Sequence, residues 1–154
     1  MAPQAINPAP ADIQAAAVAR GRTRKRQNAV AAMLSGVIPA LILEHFFPAS
    51  PQKWIAGFFL GLAWANSFEY FYHRYLLHLP KNFLSLGHLR HHISVGTPLE
   101  ADDVNLGSSP LWVVVLFVVN GVLVVALDLL LGVRIAPGMF LGFVVYQIVV
   151  EEFH

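Results

Sequence analysis

The amino-acid sequence predicts an all-α, multi-pass membrane protein with about four transmembrane helices in two hairpins and a cytosolic histidine-rich segment. Three observations predict it. Of the 154 residues, 56% are hydrophobic and only 12% are charged, with a mean hydropathy of +0.59, outside the range of ordinary soluble domains. Four uncharged runs occur: Ala29 to Leu43, Trp54 to Phe68, Val104 to Leu127 and Ile135 to Val150. Breakers part them, namely Pro48-Ala49-Ser50-Pro51, a long polar stretch between Leu79 and Pro110, and Arg134 to Gly138.

Residues 1 to 19 are rich in Ala, Pro and Gln and carry little apolar sequence, so residues 1–28 are expected to be a disordered basic tail ahead of a membrane-embedded domain at 29–154. Five basic residues close that tail: Arg20, Arg22, Arg24, Lys25 and Arg26. No small-x-small site follows closely, so the first hydrophobic run reads as a retained helix instead of a cleaved signal. The first two runs reach spanning length by adding aromatic flanks, Glu44-His45-Phe46-Phe47 and Glu69-Tyr70-Phe71-Tyr72, whose rings suit the headgroup zone. The third run is Val-rich, yet its 24 uncharged residues are far too many for a buried strand and fit a lipid-facing helix.

With the tail in the cytosol, Arg20, Arg22, Arg24, Lys25, Arg26, Arg74, Lys81 and Arg90 lie on that side, and only Lys53 and Arg134 lie opposite. That asymmetry follows the positive-inside rule and also places the long polar stretch in the cytosol, in a bacterial inner membrane or endoplasmic reticulum. The basic cluster therefore speaks to orientation, and no nucleic-acid partner is expected. The chain has no cysteine, which excludes disulfides, thiolate metal sites and cysteine nucleophiles.

Five of the seven histidines fall between residues 73 and 92, as His73-Arg74-Tyr75-Leu76-Leu77-His78 and Gly87-His88-Leu89-Arg90-His91-His92. Clustered imidazoles without thiolates favour iron, copper, nickel or zinc over calcium or magnesium. From Trp54 to His73 is 19 residues, roughly 28 Å of helix, about one hydrocarbon thickness. From Pro137 to His154 is 17 residues, roughly 26 Å, so the fourth run delivers His154 to the same face. Histidines in cytosolic loops holding no metal would explain neither the density nor that convergence.

His88 and His92, four apart, share a helical face, while His91 points elsewhere. His73 and His78, five apart, lie about 140° apart on an ideal helix, so they need not serve one ion unless the helix ends between them. Glu69, one turn before His73, could orient that imidazole or instead pair with Arg74 or stand in solvent. Glu151 and Glu152 adjoin His154 and could support the site in the same way. His45 falls at the opposite face beside Glu44. Asn120 reads as an interhelical hydrogen-bonding residue, and Asp128 as a group near the outer end that snorkels or pairs with Arg134.

These residues, in this order, resemble the fatty acid hydroxylase and sterol desaturase superfamily of membrane histidine-box di-iron oxygenases. The run Glu69 to His78 is similar to its first box, HxxxxH with an Arg after the first His; His88-Leu89-Arg90-His91-His92 matches its HxxHH box. Thr97-Pro98-Leu99-Glu100 and the helical hairpin from Pro110 also resemble the family layout, and Tyr146 to His154 looks like the approach to a third box. The resemblance spans about residues 30 to 154. It departs where the family continues with another histidine and a final HxxHH box, so the chain is expected to be a truncated form carrying part of the site.

The resemblance implies a di-iron centre with His73, His78, His88, His91, His92 and His154 as ligands and no catalytic residues beyond them. It further implies O2 as co-substrate, an external electron donor of cytochrome b or ferredoxin type, and hydroxylation or desaturation of a fatty acyl chain, sterol or carotenoid in the bilayer. Two other readings stay open: a zinc-dependent membrane hydrolase, against which the absence of HExxH counts, and a non-catalytic histidine-rich metal-binding or haem-binding membrane protein.

Overall fold

The computed structural model describes residues 10–78, 83–95, 97–99 and 109–153. Within these the chain is all-α: α1 (Pro10–Phe46), α2 (Pro51–Tyr72), a π-helical turn (His73–Leu77), α3 (Phe83–Ser94), α4 (Leu111–Leu131) and α5 (Ala136–Phe153). Two helices, α1 and α4, are long and apolar enough to cross a membrane, and the apolar stretch of α5, Ala136–Glu151, is shorter. Their outward faces are strongly apolar, with Leu130 83% and Val122 67% exposed on α4 and Leu41 61% exposed on α1. Surface of that kind is normally covered by a bilayer or a partner.

The expected disordered tail over 1–28 is corrected from Pro10 onward, because residues 10–28 form the first five turns of α1; residues 1–9 lie outside the described residues. Ala11, Ala15, Ala16, Ala17 and Ala19, with Gln and Arg neighbours, are among the best helix formers. Reading Ala and Gln as tail composition overlooked that propensity. At 37 residues, α1 is roughly 55 Å long and outruns a hydrocarbon layer of about 30 Å.

The chain connects as two hairpins, α1 to α2 and α4 to α5, but α5 is the helix that both α1 and α2 pack against. Glycines explain the α2–α5 contact. A methyl group added at Gly57 would overlap the Ile135 carbonyl, and one at Gly61 the Met139 carbonyl. Reciprocally, one at Gly138 or Gly142 would overlap the carbonyl of Trp54 or Phe58. Each helix therefore offers a GxxxG pair to the other, and the backbones meet without side chains between them. On the other side of α5, Gly36 of α1 faces Val144 and Phe117, and Phe140 and Phe143 join Ala32, Ala40, Phe117 and Val124 in the core.

Both short turns are held by carboxylates. Glu44 accepts hydrogen bonds from the Ala49 amide (3.1 Å) and the Trp54 indole (2.9 Å). Asp128, buried, accepts the Ile135 amide at 2.8 Å, so it ties the α4–α5 turn instead of snorkelling or pairing with Arg134. Gly132, at φ 64°, supplies the left-handed residue that ends α4. Asn120 does bridge helices: its side-chain oxygen accepts the Trp64 indole at 2.8 Å, and its amide donates to the Leu116 carbonyl at 2.9 Å.

Candidate metal centre

At the end of α2 the helix widens into the π turn, and this determines which histidines meet. On an ideal α-helix His73 and His78 would diverge, but one π turn takes about one more residue, which brings i and i+5 together. Their ring centroids stand 4.9 Å apart. The pairing left open by ideal-helix arithmetic is thus made by a local change of helical period.

Next, α3 packs back on the π turn and presents His88 and His92 from one face, as their four-residue spacing requires. Ring centroids are 4.6 Å apart for His73 and His88, 5.0 Å for His78 and His88, and 5.4 Å for His78 and His92. One nitrogen from each of His73, His78, His88 and His92 lies within 4.8 Å of all the others. Donors on one ion at metal–nitrogen distances of about 2.1 Å stand roughly 3 Å apart when adjacent and roughly 4.2 Å when opposed. The Nε2 atoms of His88 and His92 are 2.9 Å apart, the separation of adjacent ligands. The donor set therefore fits a single transition-metal ion after small adjustments.

The group is open on one side and closed on the other. His78 and His92 are exposed, His73 is half-buried and His88 is 4% exposed. Behind His73 a cavity with about 70 Å³ of free space runs between α2, α4 and α5. Phe68, Leu77, Leu116, Phe117, Phe143 and Val150 give it an apolar wall, and Glu69, Asn120, Tyr146, Gln147 and Glu151 interrupt that wall. From His73 down to Ala65 the lining runs along eight residue steps of α2 and the π turn, roughly 12 Å.

Glu69 faces this cavity and accepts a short hydrogen bond from the Tyr146 hydroxyl, which α5 brings across. Arg74 turns the other way, donating to the Tyr70 hydroxyl at 2.9 Å and lying over the rings of Tyr70 and Tyr75. The two alternatives for Glu69, a pair with Arg74 or simple solvation, are therefore not what the structure shows. Glu151 is buried at the same end of the bundle and accepts a 3.0 Å bond from Asn28. That bond fastens α1 to α5 beside the histidines, and Asn28 gave no sequence signal because it sits among basic and apolar residues.

His45 is exposed in the last turn of α1, at the far end of the 22-residue α2 from the cluster. The side chains of His91 and Glu152, and all of His154, lie outside the described residues. The four histidines that meet are thus part of the six expected. Tyr146 and Gln147 as cavity residues, and the paired GxxxG motifs, were missed; the motifs Gly57-x-x-x-Gly61 and Gly138-x-x-x-Gly142 were readable signals. Comparison with protein families, with characterised proteins and with solved structures finds no match to this chain.

Proposed function

We propose that this chain is the membrane part of a di-iron oxidoreductase that uses O2 to hydroxylate or desaturate a lipid. One observation carries the reading: four imidazoles converge, and one of them, His73, also lines a mostly apolar cavity between helices. His73, His78, His88 and His92 would hold one iron. A second iron needs donors outside that group, and His91 and His154 are the ones the sequence supplies. When bound, iron in an imidazole-rich site with open positions supplies oxygen activation for attack on an unactivated C–H bond.

The chain's own residues do the rest. Phe68, Phe117, Phe143 and Val150 exclude water and bind the lipid's apolar body by burial. Tyr146 holds the Glu69 carboxylate one turn below His73, fixing charge and orientation next to the ligands. The exposed edge at His78 and His92 leaves a face on which an external donor of cytochrome b or ferredoxin type can dock. Four transmembrane passes, formed by α1, α2, α4 and α5 with the histidine end in the cytosol, would place this cavity where a lipid enters from the bilayer.

The compact group favours one further reading, since a single ion satisfies it: a non-catalytic metal-binding membrane protein. Metal analysis separates the two. The purified chain is expected to retain iron in preference to zinc and to lose it when His73, His78, His88 and His92 are replaced. A preference for zinc would overturn the oxygenase.

A further inference from the structure

Apart from the histidine cavity, a groove holding about 760 Å³ of space opens between α1 and the start of α4. Both helices run antiparallel to α5, α1 through the contacts Asn28–Glu151 and Gly36–Val144 and α4 through Gly121–Phe140 and Asp128–Ile135, so they are parallel to each other. Gly36 also faces Phe117, and eight residues back from that contact Asn28 and Ser109 stand at about one level. On α1 the groove is lined by Thr23, Arg26, Gln27, Val30, Ala31 and Leu34, whose steps of three and four residues mark one helical face. That face changes character along its length. Before Asn28 it is polar, and Ser109 of α4 joins it; after Asn28 it is apolar and faces Leu111 and Val114.

A polar end above a hydrocarbon floor fits a molecule built in the same order, a headgroup followed by an acyl chain. The residues also set the sign of the headgroup. Arg20, Arg22, Arg24, Lys25 and Arg26 crowd this part of α1, and a shallower depression lined by Arg20 and Arg24 shares Thr23 and Gln27 with the groove. Arg26 is exposed and makes no hydrogen bond or ion pair with another described residue. The Ser109 hydroxyl oxygen accepts the Leu111 amide at 3.3 Å, which leaves its own hydrogen to donate. A phosphate diester offers acceptors to Arg26, Gln27 and Ser109 together, and basic residues at a membrane surface draw anionic lipid. Because the uncharged run of α1 begins at Ala29, Arg26 stands where headgroups meet hydrocarbon. A free phosphate would use only the polar half and leave the exposed Val30, Leu34 and Leu111 uncovered. We propose that the α1–α4 groove binds an anionic phospholipid of the bilayer, with its phosphate on Arg26, Gln27 and Ser109 and one acyl chain along Val30, Leu34 and Val114. The groove shares no lining residue with the cavity beside His73. The proposal rests on the membrane reading of α1 and α4, and on neither the metal nor that cavity.

The test follows lipid retained by the purified full chain in native mass spectrometry, as dioleoylphosphatidylglycerol or the zwitterionic dioleoylphosphatidylcholine is added to the detergent. Phosphatidylglycerol is expected to bind about fivefold more tightly, the worth of one arginine beside an anionic headgroup. Arg26→Gln should remove that preference. Arg22→Gln, the same loss of charge at an exposed residue that lines neither depression, should keep it. Equal losses in the two variants would trace the preference to the diffuse charge of the helix and overturn the site. Equal affinity of the native chain for the two lipids would overturn it as well, and that comparison stands even where a variant does not fold. Glycerol phosphate in large excess is expected to leave the lipid in place; displacement would assign the groove to a free anion instead. A chain that stays dispersed without detergent would overturn the membrane reading itself, an outcome distinct from the loss of headgroup preference alone.

Discussion

The two ends of the bundle use the same side chain, a carboxylate, in opposite ways. At the turn end, Glu44 and Asp128 accept backbone amides of Ala49 and Ile135, and Glu44 also takes the Trp54 indole. Those bonds satisfy orphan groups at helix termini and fasten the connections. At the histidine end, Glu69 and Glu151 accept side-chain donors from other helices, Tyr146 and Asn28, and both line a cavity. The turn end closes the fold, whereas the histidine end keeps space and charge available. The difference shows that a carboxylate at a helix end is informative through its partner, not through its presence.

The contrast can be broken in four ways, from the largest expected effect to the smallest. His88→Ala removes the most buried of the four imidazoles and should weaken iron binding by more than about 100-fold, beyond the loss from an outer-shell change. Metal titration followed by equilibrium dialysis checks it. Gly138→Leu forces a side chain into the Trp54 carbonyl and should cost roughly 1–3 kcal/mol of stability, read as earlier thermal unfolding in detergent. Metal retention should fall with it, because α2 carries the π turn and its contact with α5 sets part of the cavity wall beside His73.

Tyr146→Phe deletes the donor to Glu69 and should weaken metal binding by about tenfold while the melting temperature changes little. Asp128→Ala leaves the Ile135 amide without its acceptor and should cost about 1 kcal/mol of stability with metal affinity unchanged. A loss of metal in Asp128→Ala as large as in Tyr146→Phe would erase the distinction between the two ends.

Much of this arrangement is legible in the residues alone. The helical class follows from long uncharged runs, and the His88–His92 pair follows from four-residue spacing on a regular helix. The His73–His78 pair does not, since a period of 3.6 residues sends them apart and nothing in His73 to His78 announces a π turn. The place of α5 between α1 and α2 was equally hidden. A GxxxG pair marks a close approach without naming its partner, and only Gly57 and Gly61 set against Gly138 and Gly142 identify it. The N-terminal turns of α1 are hidden by their composition, since alanine and glutamine suit a polar tail as well as a helix and only their propensity favours the helix. Gln147 carries no signal at all in the sequence, as its meaning lies in a wall that three helices build.

The most direct test of the central claim is X-ray absorption on the purified chain loaded with ferrous iron, beside the double variant His73→Ala/His88→Ala. The grouping of His73, His78, His88 and His92 predicts an imidazole-dominated coordination shell in the native chain and its loss in the variant. An unchanged imidazole shell in the double variant would contradict the account, because iron would then be held by other residues.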